Sequence, residues 1–527
     1  MSRALRNLGL AATVTGLFSA TAPAMAAKID EALQIAVRND DLALAKSALA
    51  KRANPNALSA DNSSPLAWAV DRHNADMVAL LLKAGAKANA LGDARPLVLA
   101  CENGSNAIIT QLLNAKADVN AAGPGGVTAF HLCASRATAS NLERMIAAGA
   151  SLEVQDEKGL TPLMFAAASG NVENIILLAQ HHANVNTAAK SGFSPLFFAA
   201  KSKNVKAVEA LLRAGANVGY AAPDGTTALQ LALLNSDTSI STMLVQSGAP
   251  LNTWDINGKQ ALHVAVANGQ VALAKLMISK GADLNGLTRY AYRIDPVTDR
   301  RRAGARSTPA AAPASQVNAL AAQRITDQRG GGGGGGGQAP RDPFYYDMTS
   351  KVGYQPKIVL GQLDWAGSVA DPAPPTTPLM VAAAAGQADA MKLLIEAGAN
   401  KEFALEDGTN MVLAAVASGN LAAVKYALSI SPSIKVTKKD GTSVMHLAVA
   451  VANRGVAEAK TSIADAKVLI QYLADNGADL TAKNARGQTP ADTAGRADPE
   501  IQEFYGKLLK ARGTQAVEDK LKPASPS

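Results

Sequence analysis

Few residues in this 527-residue chain could do chemistry, and they are scattered. There are six histidines and two cysteines. His181-His182 is the one adjacent pair, and it lacks the further ligands that a zinc site needs. No Gly-x-Ser-x-Gly element, His-Glu-x-x-His helix or phosphate loop occurs. Gly330 to Gly337 are eight consecutive glycines, but no Lys-Ser/Thr pair closes them and no helix pattern follows. No acid, base and nucleophile set can be assembled. The expectation is a non-enzyme with no catalytic residue, no metal and no cofactor.

The elements that would position any site repeat every 33 residues. "GLTPLMFAAASGNVENIILLAQHHANVN" starts at Gly159, and "GFSPLFFAAKSKNVKAVEALLRAGANVG" starts at Gly192. Further copies start at Gly225 and Gly258. Earlier copies centre on Pro65, Pro96 and Ala129, and later ones on Pro378, Met411, Val444 and Pro490. The spacing has mechanical reasons. Thr161 or Ser194 can cap a helix, and Pro162 or Pro195 suits its first position. Ala166-Ala167 lets a neighbouring helix approach. Gly170 and Gly269 end the first helix in a left-handed conformation. A second helix follows, as at Val205 to Arg213, with apolar residues at helical spacing. Asp224-Gly225 and Asn257-Gly258 then turn a hairpin-like finger.

This pattern resembles the ankyrin repeat family, here as an exported bacterial-type member. The resemblance spans most of residues 29–286 and 375–512. It implies an all-α repeat solenoid of helix-turn-helix units with fingers, in one elongated stack. It also gives His131, His263 and His446, at the Thr-Pro-Leu-His position, a structural hydrogen-bonding role near the helix start. Lys116, His182 and Ser431 stand where the family has glycine, so a left-handed side chain is expected there at about 1 kcal/mol each. Ile29 to Asn56 looks like an opening cap, and Pro499 to Arg512 like a closing helix with a polar outer face.

Two interruptions break the period. Between Ala261 and Pro378 about 84 residues are extra, and between Val444 and Pro490 about 13. The two array halves complete one finger, so the expected organisation is one stack carrying an insertion at residues 287–374. Two solenoids joined by a linker are the alternative. The insertion is Arg-rich at 289–306, then low in complexity through the glycine run, then aromatic at Phe344, Tyr345 and Tyr346. "YAYRI" and "KIVLGQLDW" could pair as an enlarged hairpin. The resulting divisions are 1–26, 27–286, 287–374, 375–512 and a disordered tail at 513–527.

Residues 1–26 read as a signal peptide. Arg3 and Arg6 precede an apolar stretch from Leu8 to Ala20, and Ala24-Met25-Ala26 offers a cleavage site. Cleavage there changes the formal charge from +8 to +6. No later segment has the roughly 18 apolar residues of a membrane span. A periplasmic or secreted monomer is expected. Cys101 aligns one residue out of register with Cys133 in the next repeat. With packed helices about 8–10 Å apart, two buried free thiols are expected.

The resemblance implies protein binding through finger tips and the exposed side of the first helices. By position the candidates are Lys158, Leu160, Lys190, Phe193, Lys201, Trp254, Ile256 and Lys259, with packing against an adjacent finger or the insertion as the alternative for Phe193 and Trp254. Phe344, Tyr345 and Tyr346 join them as contacts on a glycine tether. Charge along this strip is mixed, with Glu157, Asp224, Glu406, Asp407, Lys439 and Asp440 beside the lysines, which weighs against nucleic acid. The alternatives are a polyanion-binding or structural protein using Arg300-Arg301-Arg302, and an enzyme with its site in the insertion.

Overall fold

The computed structural model describes residues 27–89, 95–255, 257–289, 374–458, 462–495 and 498–513. The chain divides into two compact units, residues 1–290 with 372–527, and residues 291–371. The second unit lies outside the described residues, as do the leader at 1–26, the aromatic triplet and most of the tail.

Each repeat is an antiparallel pair of short helices. Pro162–Ser169 is followed by Val172–Gln180, Pro195–Lys201 by Val205–Arg213, and Ala228–Leu234 by Thr238–Gln246. Helices this short are unstable alone, so caps and packing must hold them. Thr161 supplies a cap, its hydroxyl accepting from the Met164 N–H. Ser194 occupies the same position but its side chain makes no capping bond. Gly170, at φ 72°, closes the helix in the left-handed region. First helices of neighbouring repeats pack together. Ala166, Ala167, Ala199, Ala200 and Ala232 are fully buried at these contacts, where a larger side chain would push the helices apart.

Lys116 and His182 have φ of 60° and 65°, the left-handed conformation expected of them. Ser431 differs, with φ −127°. Its helix, Leu421–Ile430, runs one residue longer than the usual nine, so Ser431 caps the helix at negative φ instead.

The array is continuous across the long insertion. Ala261–Ala267 packs on Pro378–Ala384, and Val271–Ser279 on Ala388–Glu396. The Thr288 N–H donates to the Thr376 carbonyl at 2.9 Å, and the Thr376 N–H to Thr288 Oγ1 at 2.9 Å. Asn285 Oδ1 accepts from the Asn400 N–H at 2.8 Å, as Asn252 does from Asp283 within the unbroken part. The chain thus leaves and re-enters the stack at one finger. The shorter interruption lengthens two helices, Val444–Glu458 with 15 residues and Ile463–Asp475 with 13.

Both ends are closed. At the start, Leu33, Ala36 and Val37 bury one face of the helix at 27–38. At the end, Pro499–Ala511 buries Ile501, Tyr505 and Leu509 and exposes Glu500, Glu503, Lys507 and Lys510. The buried Tyr505 hydroxyl donates to the Leu480 carbonyl at 3.0 Å.

The cysteines correct a sequence expectation. Cys101 and Cys133 are joined as a disulfide, with Cα atoms 4.7 Å apart and both residues fully buried. The error lay in comparing an axis-to-axis spacing with a Cα separation. Each Cα lies about 2.3 Å off its helix axis, so facing Cα atoms on helices about 8–10 Å apart come within roughly 3–5 Å.

Candidate functional site

The finger tips follow one another along the stack, and several neighbours are linked by main-chain hydrogen bonds. The Glu157 N–H donates to the Gly125 carbonyl at 2.8 Å, Lys190 to Lys158 at 3.0 Å, and Arg289 to Gly258 at 2.8 Å. Beyond the insertion, Lys439 donates to Asp407 at 2.8 Å and Ala485 to Asp440 at 2.7 Å. Each tip is tight for a reason in its sequence. At 255–259, the Asp255 N–H donates to the Lys259 carbonyl and the Gly258 N–H to the Asp255 carbonyl. Gly258 has φ 70°, and a Cβ there would collide with the Arg289 main chain. Isolated antiparallel bridges, such as Ala221 with Thr227, mark the finger bases.

Three histidines hold fingers to helices. The Thr128 N–H donates to His131 Nδ1 at 3.1 Å, which leaves the proton on Nε2 to bond the Leu160 carbonyl, 2.9 Å away. His446 repeats this with the Ser443 N–H and the Gln488 carbonyl. His263 does so with the Gln260 N–H and the Thr376 carbonyl, across the insertion. Burial pushes the His131 ring down from its ordinary value and His263 down to about 4. Each ring spends both nitrogens on structure, as the resemblance implied. His73 Nδ1 lies 2.9 Å from Ser105 Oγ, and His181 pairs with Glu143. Among the described residues no group of three or more His, Cys, Asp or Glu could hold a metal ion, and no helix is long and apolar enough to cross a membrane.

The predicted contact residues divide by where their side chains go. Lys158 and Lys190 are exposed on adjacent tips. Leu160, Lys201 and Lys259 are half-buried. Phe193 is a correction: it is 5% exposed and stacks on Phe197, ring centroids 5.1 Å apart, so it belongs to the packing beneath the fingers. Trp254 is half-buried by the root of the insertion. Its Nε1–H donates to the Leu287 carbonyl at 3.0 Å, and the Arg289 guanidinium lies 3.3 Å above its ring. Ile256, Phe344, Tyr345 and Tyr346 lie outside the described residues. Leu234 ends a first helix and is 55% exposed, a large apolar side chain left uncovered.

Paired short helices, hydrogen-bonded fingers and a closed helix at each end define a helical repeat protein whose exposed edge is a row of tips. This chain belongs to the ankyrin repeat family: the family model for ankyrin repeats (3 copies) matches residues 33–123, 130–222, 214–287 and 379–484. Among solved structures it is similar to the human ASB11 ankyrin repeat domain, at 26% identity and a TM-score of 0.37 over 41% of this chain and 98% of that one. No curated protein matches the chain.

Proposed function

We propose that this protein is a non-enzymatic scaffold that binds a protein partner along its finger tips and the exposed ends of its first helices. The observation that carries this is the row of finger tips, several of them joined by main-chain hydrogen bonds, on a stack that continues across the insertion through Thr288 and Thr376. Such a row presents side chains from many repeats on one rigid edge, so little ordering is lost on binding. Affinity capture from the exported fraction, with the native protein and with a Lys158→Glu, Lys190→Glu variant, tests it. The reading expects a protein captured by the first and depleted by at least tenfold on the second. Equal capture by both would contradict it.

The site of action we propose is the periplasm or the secreted fraction. Arg3, Arg6, the apolar stretch and Ala24-Met25-Ala26 support it. So does the Cys101–Cys133 bond, because disulfides persist in oxidising compartments. N-terminal sequencing of native protein should start near Ala27, and an intact Met1 would contradict export. From the sequence alone, Phe344, Tyr345 and Tyr346 are proposed as further contacts carried on the glycine tether.

A further inference from the structure

Lysines concentrate on the binding edge of the central repeats. Lys158 and Lys190 stand on adjacent tips, joined through their own main chains. Lys201 ends the first helix Pro195–Lys201, and Lys203 follows it, exposed and with φ 58°. Lys259 sits on a tip two repeats further along. On the tips of these repeats the exposed acids are Glu157 and Asp224, and Asp224 accepts from the Thr226 N–H. Among the described residues Lys158, Lys190 and Lys203 form no ion pair. The repeats beyond the insertion differ: there Lys438 lies 2.9 Å from Asp407, so the tips neutralise each other.

An apolar shelf runs beside these lysines. Phe198, Leu231 and Val264 are half-buried at one position of three successive first helices. One turn further along each helix stand Lys201, Leu234 and Ala267. Ala168 holds the same position on the preceding first helix, so small side chains bound the pair Lys201 and Leu234 on either side, and Leu234 stands 55% exposed. Desolvation lowers the Lys201 pKa, as expected of an ammonium beside apolar side chains.

Deepening the protein-binding reading on which it rests, we propose that the edge from Lys158 to Lys259 docks an acidic protein segment that places an apolar side chain against Leu234. Charge complementarity selects the occupant. The chain's own residues 290–373 are net basic and would be repelled. At about 10 Å per repeat the lysines span roughly 30 Å, which an extended segment of about ten residues covers.

The test is fluorescence polarisation on the full chain with labelled peptides of about twelve residues. One is Glu-rich with a central Leu pair; the others are its Lys-rich and Ser-rich counterparts. The Glu-rich peptide alone should bind, and more weakly as salt is raised from ~50 to ~500 mM. Lys158→Glu with Lys190→Glu should weaken it at least tenfold and Leu234→Ser several-fold. Lys206→Glu, on the second helix Val205–Arg213, should leave binding unchanged. Circular dichroism of each variant separates lost binding from lost fold. A Glu-rich peptide that binds no better than the Ser-rich one overturns the proposal. So does single-stranded DNA that competes as well as the peptide, which would make the edge a general polyanion surface. Preference for the Lys-rich peptide would overturn the acidic partner while leaving protein binding intact.

Discussion

His263 Nε2 lies 3.1 Å from the Thr376 carbonyl, a contact between residues 113 apart in sequence. Elsewhere the same bond joins His131 to Leu160, only 29 residues on. The repeat architecture is therefore indifferent to the covalent path at this seam. Removing residues 290–373 and joining the ends should leave one cooperative unfolding transition. Separate melting of 27–289 and 374–513, in the intact or the shortened chain, would contradict a continuous stack.

The same histidine makes the seam acid-sensitive. Burial holds His263 at about 4 in the folded chain, against an ordinary value of 6.5. The unfolded state thus binds the proton more readily, so stability is fully present above pH 6.5 and falls as pH drops towards 4. A shift of this size corresponds to roughly 3 kcal/mol at most. A proton added to Nδ1 would face the Gln260 N–H. The pH dependence of urea unfolding should flatten over this window in His263→Gln, and an unchanged slope would contradict the assignment.

The Cys101–Cys133 bond spans a separation of 32 residues and links repeats on either side of the finger at 115–128. Chain entropy gives such a closure about 3–4 kcal/mol. The Cys101→Ala, Cys133→Ala variant should lose stability on that scale, and reductant should destabilise the native protein but not the variant. Equal stability with and without reductant would show that the thiols are free.

Phe193 separates packing from recognition. Phe193→Ala should cost about 3 kcal/mol or more of stability, as large-to-small changes in buried aromatics do. It should leave partner affinity within about twofold where the protein is still folded. A normal melting curve with lost binding would restore Phe193 to the interface.

The repeat was legible because its constraints are local. Thr161, Pro162 and Gly170 each satisfy a short-range requirement, and the 33-residue period repeats them. The structural histidines were legible through the same position. For Phe193 packing and partner contact stayed open because distance along a finger does not give the direction of a side chain; its stacking on Phe197 decides for packing. The cysteines were misread because helix axes stood in for facing Cα atoms. Ser431 was misassigned because alignment with the glycine position does not show that its helix runs one residue longer. Packing of Trp254 against a neighbouring finger or the insertion was one of its two readings, but Arg289 as the partner was not legible, since that contact joins successive fingers.

Site-specific photo-crosslinking tests the central claim most directly. A photoreactive residue is placed in turn at Lys158, Lys190 and Lys201 on the edge, and at Lys206 on the second helix, in the full chain expressed in its native host. The account predicts a discrete protein adduct from all three edge positions and none from Lys206. Adducts from Lys206 alone, or equally from all four positions, would contradict it.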